Sequence, residues 1–272
     1  MGNVFISVKD IELAKQHEYK WIDARFNLQD TSEGQTLYKE SHIENAVYWD
    51  LVEDLSDMTK DAGRHPMPGK EQLKKLFEQS GLQQDQDILV YDQGGAPFAT
   101  RAWWMLQYGG FTNVKVVQEG YDALVKAGFN TTNESKVIEP THLKIDWQEQ
   151  LYIDRNGVKE IVDGKVKRTL LDARSNIRYR GEEEPIDKVA GHIPGALNYD
   201  WEQLKQHGYL APNDTILNVV SKNDPITVYC GSGVTASPLF AMLKEMDYKN
   251  VQLYTGSFSD WITKYEVEKG NR

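Results

Sequence analysis

The only cysteine of the chain, Cys230, stands in the stretch Pro225-Ile-Thr-Val-Tyr-Cys-Gly-Ser-Gly-Val-Thr-Ala-Ser-Pro238. Ile226 to Tyr229 is a short β-branched and aromatic run of the kind that forms a buried parallel strand. Beyond the loop, Leu239 to Met246 carries apolar residues at helical spacing after a Thr/Ser-Pro start. A strand, a tight loop and a helix let the backbone N–H groups of Gly231, Ser232, Gly233, Val234 and Thr235 converge on one point. Such a nest, reinforced by the positive end of a helix, favours negative charge at its centre. A thiolate at the loop's first residue is stabilised there, and the thiolate is the nucleophilic form of cysteine. The competing reading is a small hydrophobe at a strand end. Two glycines within three residues weigh against it, because glycine lets backbone wrap closely around a ligand or charge.

The rest of the composition bounds what this nucleophile could serve. The 272 residues suffice for two domains, 40% of them are hydrophobic, and no run reaches membrane-span length. Mean hydropathy is −0.60. Lys and Arg total 31 against 41 Asp and Glu, a net charge of −10, which argues against a nucleic-acid partner. The first residues lack a basic stretch followed by an apolar one, and Gly2 is followed at position six by Ile6 rather than Ser or Thr. Neither secretion nor acylation is expected, and a lone cysteine fits a reducing, cytoplasmic setting. No dinucleotide fingerprint follows a strand and the histidines are scattered, so neither a nucleotide cofactor nor a metal is expected.

The chain repeats itself. Leu170-Leu-Asp-Ala-Arg174 matches Trp21-Ile-Asp-Ala-Arg25, and Gly191-His-Ile-Pro-Gly-Ala-Leu-Asn-Tyr-Asp200 matches Ser41 to Asp50. Ile226 to Tyr229 matches Ile88 to Tyr91, and Tyr248-Lys-Asn-Val251 matches Phe111-Thr-Asn-Val114. Four ordered matches imply two copies of one α/β domain, each a parallel sheet flanked by helices. Helices are expected over 69–80, 98–108 and 120–127, and 147–166 reads as a helix with a hairpin. Where the second copy has Cys230, the first has Asp92, followed by Gln93-Gly-Gly-Ala-Pro97 and no comparable nucleophile.

The sequence resembles the tandem-domain rhodaneses, a family of sulfurtransferases, over nearly its whole length. The markers are Asp-Ala-Arg at Asp23 and Asp172, His192-Ile-Pro-Gly-Ala with a degenerate partner at His42, Arg101-Ala-Trp-Trp104, and Cys230-Gly-Ser-Gly-Val-Thr-Ala236. The last resembles the loop of 3-mercaptopyruvate sulfurtransferases, whereas thiosulfate sulfurtransferases typically carry basic residues where this chain has Gly231 and Ser232. An uncharged loop suits a donor whose charge is held elsewhere.

The resemblance implies two rhodanese-like domains: residues 1–130 without a nucleophile, a linker over 131–146, and a catalytic domain over 147–272. It implies a persulfide on Cys230, formed from a small-molecule donor and passed to cyanide or to a thiol such as thioredoxin. Arg178 matches the family's substrate-binding arginine, whose planar fork suits a carboxylate. Arg180 and Lys188 are further candidates, the family's second arginine has no clear counterpart, and Glu182-Glu-Glu184 makes this segment acidic. A relay of Ser232, His65 and Asp50 is implied for proton movement. His42 and His192 read as structural. Three alternatives stand beside this reading. Thiosulfate sulfurtransfer differs only in its donor. A Cys-x5-Arg phosphatase fails because Ala236 stands where the arginine belongs. A non-catalytic sulfur carrier or binding module fits the first copy better than the second.

Overall fold

The computed structural model describes residues 4–13 and 18–271; Gly2 lies outside them. The chain divides into two compact units. One comprises Met1–Asp57, Pro68–Gln148 and His207–Leu210, the other Met58–Met67, Glu149–Gln206 and Ala211–Arg272. The loop Met58–Met67, which contains His65, therefore folds with the second unit although its sequence neighbours on both sides belong to the first.

Each unit is built on five parallel strands. In the first, the order across the sheet is Phe5–Ile6, Val114–Val117, Ile88–Tyr91, Lys20–Asp23, Val47–Tyr48. The second repeats it as Tyr152–Ile153, Val251–Tyr254, Ile226–Tyr229, Thr169–Asp172, Leu197–Asn198. The strands Ile88–Tyr91 and Ile226–Tyr229, apolar but for Thr227, lie at the centres, buried on both faces, as their composition requires. Helices Phe98–Tyr108 and Ala236–Glu245 pack on these central strands. The helix read over 69–80 spans Lys70–Gln79, and that over 120–127 spans Tyr121–Lys126.

The expected hairpin in 147–166 does not form. Tyr152–Ile153 instead joins the sheet edge parallel to Leu253–Tyr254, and the helix Arg155–Val162 follows, its first turn capped by Asp154 accepting the Gly157 N–H at 2.8 Å. Alternation alone does not tell a strand that pairs with its neighbour from one that pairs with a distant edge. The stretch 131–146 runs along the first unit, with Thr131–Thr132 antiparallel to His42–Ile43 and the Thr141 N–H donating to the Glu78 carbonyl at 3.0 Å.

The repeated Asp-Ala-Arg and His-Ile motifs build the same brace twice. Arg25 grips Asp23 through Nη2 at 2.6 Å and donates to the Ser41 carbonyl at 2.7 Å; Arg174 grips Asp172 at 2.6 Å and donates to the Gly191 carbonyl at 2.7 Å. Tyr91 and Tyr229, each the last residue of a central strand, accept the N–H of Ile43 and Ile193 at 3.2 and 3.1 Å. His42 and His192 hold the carbonyls of Tyr38 and Tyr179, both at 2.7 Å, and stack on those rings. Burial opposes the charge on Arg174, but the Asp172 carboxylate outweighs it and holds the guanidinium charged. In the second unit this brace fixes the end of the strand from which Cys230 emerges.

In the first unit the corresponding position is self-filled. The buried Asp92 carboxylate accepts the N–H of Gly94 at 2.8 Å and of Ala99 at 2.9 Å. Burial pushes Asp92 up to about 6, and does the same to Asp54. Both groups are raised above their ordinary 3.8, so the stability they contribute is full below that value and is lost as pH rises through about 6. Asp54→Asn keeps an acceptor for the Asp50 N–H, which Asp54 receives at 2.8 Å. The variant is expected to melt above wild type at about pH 8, with the gap closing toward about pH 4; thermal melts across that range check it, and a constant gap contradicts it.

Candidate active site

Cys230 follows Tyr229 directly, and its loop is zipped to the start of the helix Ser257–Trp261. Phe258 N–H donates to the Cys230 carbonyl and Ser259 N–H to the Gly231 carbonyl, both at 2.9 Å. The Ser257 hydroxyl accepts the Cys230 N–H at 3.0 Å, donates to the Tyr254 carbonyl at 2.8 Å and lies 4.0 Å from Cys230 Sγ. The Gly233 N–H points at Cys230 Sγ, 3.1 Å away. Gly233 has φ +78°, and a Cβ there would lie 2.1 Å from the Thr255 carbonyl oxygen. Only glycine permits both the backbone turn and this approach. Val234 is buried, and half-buried Thr235 leads into the helix Ala236–Glu245, where the Ser237 hydroxyl donates to the Gly233 carbonyl at 3.1 Å.

The loop Met58–Met67 crosses this feature within the same unit. Gly63, at φ +94°, sits so close that a Cβ would be 2.7 Å from the Gly256 carbonyl oxygen and 2.8 Å from Ser259 Oγ. The Arg64 N–H donates to Ser259 Oγ at 3.1 Å. Thus anchored, the loop sets His65 Nδ1 2.9 Å from Ser232 Oγ. It also lays the Arg64 side chain against Gly231, where a Cβ would meet Arg64 Nη2 at 2.5 Å and Arg178 Nη2 at 3.5 Å. Two guanidiniums therefore flank the residue next to the cysteine.

Arg178 is held by carboxylates. Its Nη2 donates to Glu184 Oε1 at 2.7 Å and to Asp187 Oδ2 at 3.1 Å, while Asp187 Oδ1 takes the Arg64 Nη1. Glu184 also pairs with Arg174 at 3.2 Å. Burial pushes Glu184 upward, but the Arg178 hydrogen bonds and the N–H groups of Asp187 and Ile186 prevail and hold it below the usual range. The acidic run after Arg178 is thus a clamp on the arginine rather than a repulsive surface. Arg180 turns aside to Glu182 at 2.8 Å, and Lys188 is exposed.

Cys230, Gly231, Ser232, Gly233, Val234, Thr235, His65 and Arg178 are thereby gathered in the second unit. Asp50 belongs to the first, where its carboxylate accepts the N–H of Val52 at 2.7 Å and of Glu53 at 3.1 Å and so caps the following turn. Sequence reasoning missed Arg64, Asp187 and Glu184. The signal for Arg64 was its place beside His65: a basic residue adjoining a site histidine in a glycine-bearing loop.

The family of rhodanese-like domains matches residues 10–127 and 155–264. A Pseudomonas aeruginosa protein named as a probable 3-mercaptopyruvate sulfurtransferase is 37% identical over 252 residues, covering 89% of this chain and 88% of that one. A Mycobacterium tuberculosis protein with the provisional name thiosulfate sulfurtransferase SseB is 33% identical over 251 residues, covering 88% and 86%. The solved structure of SseA from Escherichia coli, described as a 3-mercaptopyruvate sulfotransferase, superimposes with a TM-score of 0.79 at 29% identity, covering 94% of this chain and 98% of that one. The two-fold match, falling on both copies of the repeat that the sequence and the sheets display, makes this chain a member of the rhodanese family.

Proposed function

We propose that the chain is a sulfurtransferase that takes sulfur from 3-mercaptopyruvate, carries it as a persulfide on Cys230, releases pyruvate, and delivers the sulfur to a thiol or cyanide. The observation that carries this reading is the pair of guanidinium ends at Gly231, one residue from the only thiol of the chain. A donor with a carboxylate two carbons from its thiol can rest the carboxylate on Arg178 and Arg64 and present its sulfur to Cys230.

The chemistry assigns the other residues. The Cys230 thiolate attacks the donor sulfur, the carbon–sulfur bond breaks, and its electron pair leaves as the enolate of pyruvate. The proton of the donor thiol ends on that carbon. One group must accept this proton and give it back, which suits an imidazole bonded to a hydroxyl, as His65 is to Ser232 at 2.9 Å. The Gly233 N–H holds the charged sulfur, and the loop reading assigns the amides of Gly231, Val234 and Thr235 to the same charge. Cyanide or an acceptor thiol then takes the outer sulfur and regenerates the Cys230 thiolate. A thioredoxin-like dithiol in a reducing cytoplasm fits the second step. Among the described residues no helix is long and apolar enough to cross a membrane.

The test is the initial rate with 3-mercaptopyruvate and with thiosulfate, side by side, with cyanide as common acceptor. Mercaptopyruvate is expected to give the larger kcat/KM, and His65→Gln to lower kcat by about 10²-fold or more with little change in KM. A larger kcat/KM with thiosulfate would favour the activity for which the Mycobacterium tuberculosis relative is named.

A further inference from the structure

Given the sulfur-transfer reading, on which this proposal rests, the geometry points to Asp187 as the residue that sets donor charge. Its two carboxylate oxygens bridge the two guanidiniums at Gly231, Oδ1 to Arg64 Nη1 and Oδ2 to Arg178 Nη2 at 3.1 Å. The side chain is 3% exposed. It is fixed from behind, because the Asp187 N–H donates to Glu184 Oε1 at 3.1 Å. An internal carboxylate thus already occupies the natural seat for an anion between Arg64 and Arg178.

Two consequences follow from charge alone. Arg64 and Arg178 bring two positive charges, Asp187 and Glu184 two negative ones, so the four groups together are neutral. A monoanionic donor has to share the guanidinium donors with Asp187, for which a fork of five N–H groups per arginine leaves room. A compact dianion such as thiosulfate meets the same arginines with their charge spent, and it brings a second charge that nothing balances. The Gly-Ser loop supplies no cation to compensate. The preference for a monoanion is therefore enforced by a carboxylate in the arginine cluster as well as by the missing charge in the loop.

Asp187→Asn removes one negative charge, keeps the shape, and leaves one oxygen acceptor for the guanidiniums. The ratio of kcat/KM for thiosulfate to that for 3-mercaptopyruvate is expected to rise about tenfold, mainly through a lower KM for thiosulfate, since the dianion gains one more charge contact than the monoanion in a partly screened site. Asp187→Glu, which keeps the charge, is expected to stay near the wild-type ratio. Arg64→Gln, which removes a positive charge from the same cluster, is expected to move the ratio the other way and gives an independent reading should Asp187→Asn fold poorly. If wild type turns over mercaptopyruvate and the ratio is unchanged in Asp187→Asn, or moves in the same direction in both charge variants, Asp187 does not set donor charge and the sulfur-transfer reading stands. If wild type reacts with neither donor, the sulfur-transfer reading fails and this proposal goes with it.

Discussion

Cys230→Ser is expected to lose sulfur transfer by about four orders of magnitude or more, with the fold intact. A serine hydroxyl at neutral pH is neither ionised nor able to hold a sulfane sulfur, so no second residue can carry the intermediate: the chain has one cysteine. The substitution is nearly isosteric, and the groups that fix position 230 act on its backbone. Its N–H donates to Ser257 Oγ and its carbonyl accepts from Phe258, contacts that serine keeps. The residue is 1% exposed, so the new hydroxyl needs a partner, and the Gly233 N–H that faces Sγ at 3.1 Å supplies one. Thiocyanate formation with mercaptopyruvate and cyanide reads the activity, and a thermal melt reads the fold. Retained turnover would remove Cys230 from the mechanism.

Gly233→Ala is expected to disable the enzyme while leaving every reactive side chain in place. An alanine at φ +78° pays for a left-handed backbone, and its Cβ would stand 2.1 Å from the Thr255 carbonyl oxygen, which is backbone and cannot swing aside. Destabilisation of roughly 2–4 kcal/mol is expected, with a fall in kcat/KM of about 10²-fold or more as the N–H at Sγ is displaced. Gly231→Ala provides the contrast. Its Cβ would meet the movable ends of Arg64 and Arg178, so stability should change little while the KM for mercaptopyruvate rises. Denaturant melts and steady-state kinetics on the two variants separate these effects. Equal loss of stability in both would mean that the loop is not held as described.

Local pattern made the centre of each sheet legible. Ile88–Tyr91 and Ile226–Tyr229 are apolar but for Thr227 and bounded by turn residues, so their burial follows from composition. The repeat exposed the braces, because Asp23 with Arg25 and Asp172 with Arg174 are close in sequence as well as in space. The nucleophile loop was legible for the same reason: strand, two glycines and helix are contiguous. Edge strands were not. Phe5–Ile6 and Tyr152–Ile153 are two residues long, too short for any periodicity to register.

The charged half of the site was hidden by sequence distance. His65 and Ser232 meet across 167 residues, and Arg64 and Asp187 across 123. No local rule pairs them. From sequence, the carboxylates after Arg178 look like repulsion of an anionic donor; in space, Glu184 positions the arginine and Asp187 bridges it to Arg64. The resemblance put Asp50 in the relay; within its own unit the carboxylate accepts the N–H groups of Val52 and Glu53 and caps the following turn.

The most direct measurement is the intact mass of wild-type protein mixed with 3-mercaptopyruvate in the absence of any acceptor, with released pyruvate counted in the same sample. The account predicts a gain of one sulfur atom per chain, located on Cys230, matched by one pyruvate per chain and reversed by cyanide with release of thiocyanate. Pyruvate released without added sulfur on the protein, or no reaction at all, would contradict a persulfide carried by Cys230.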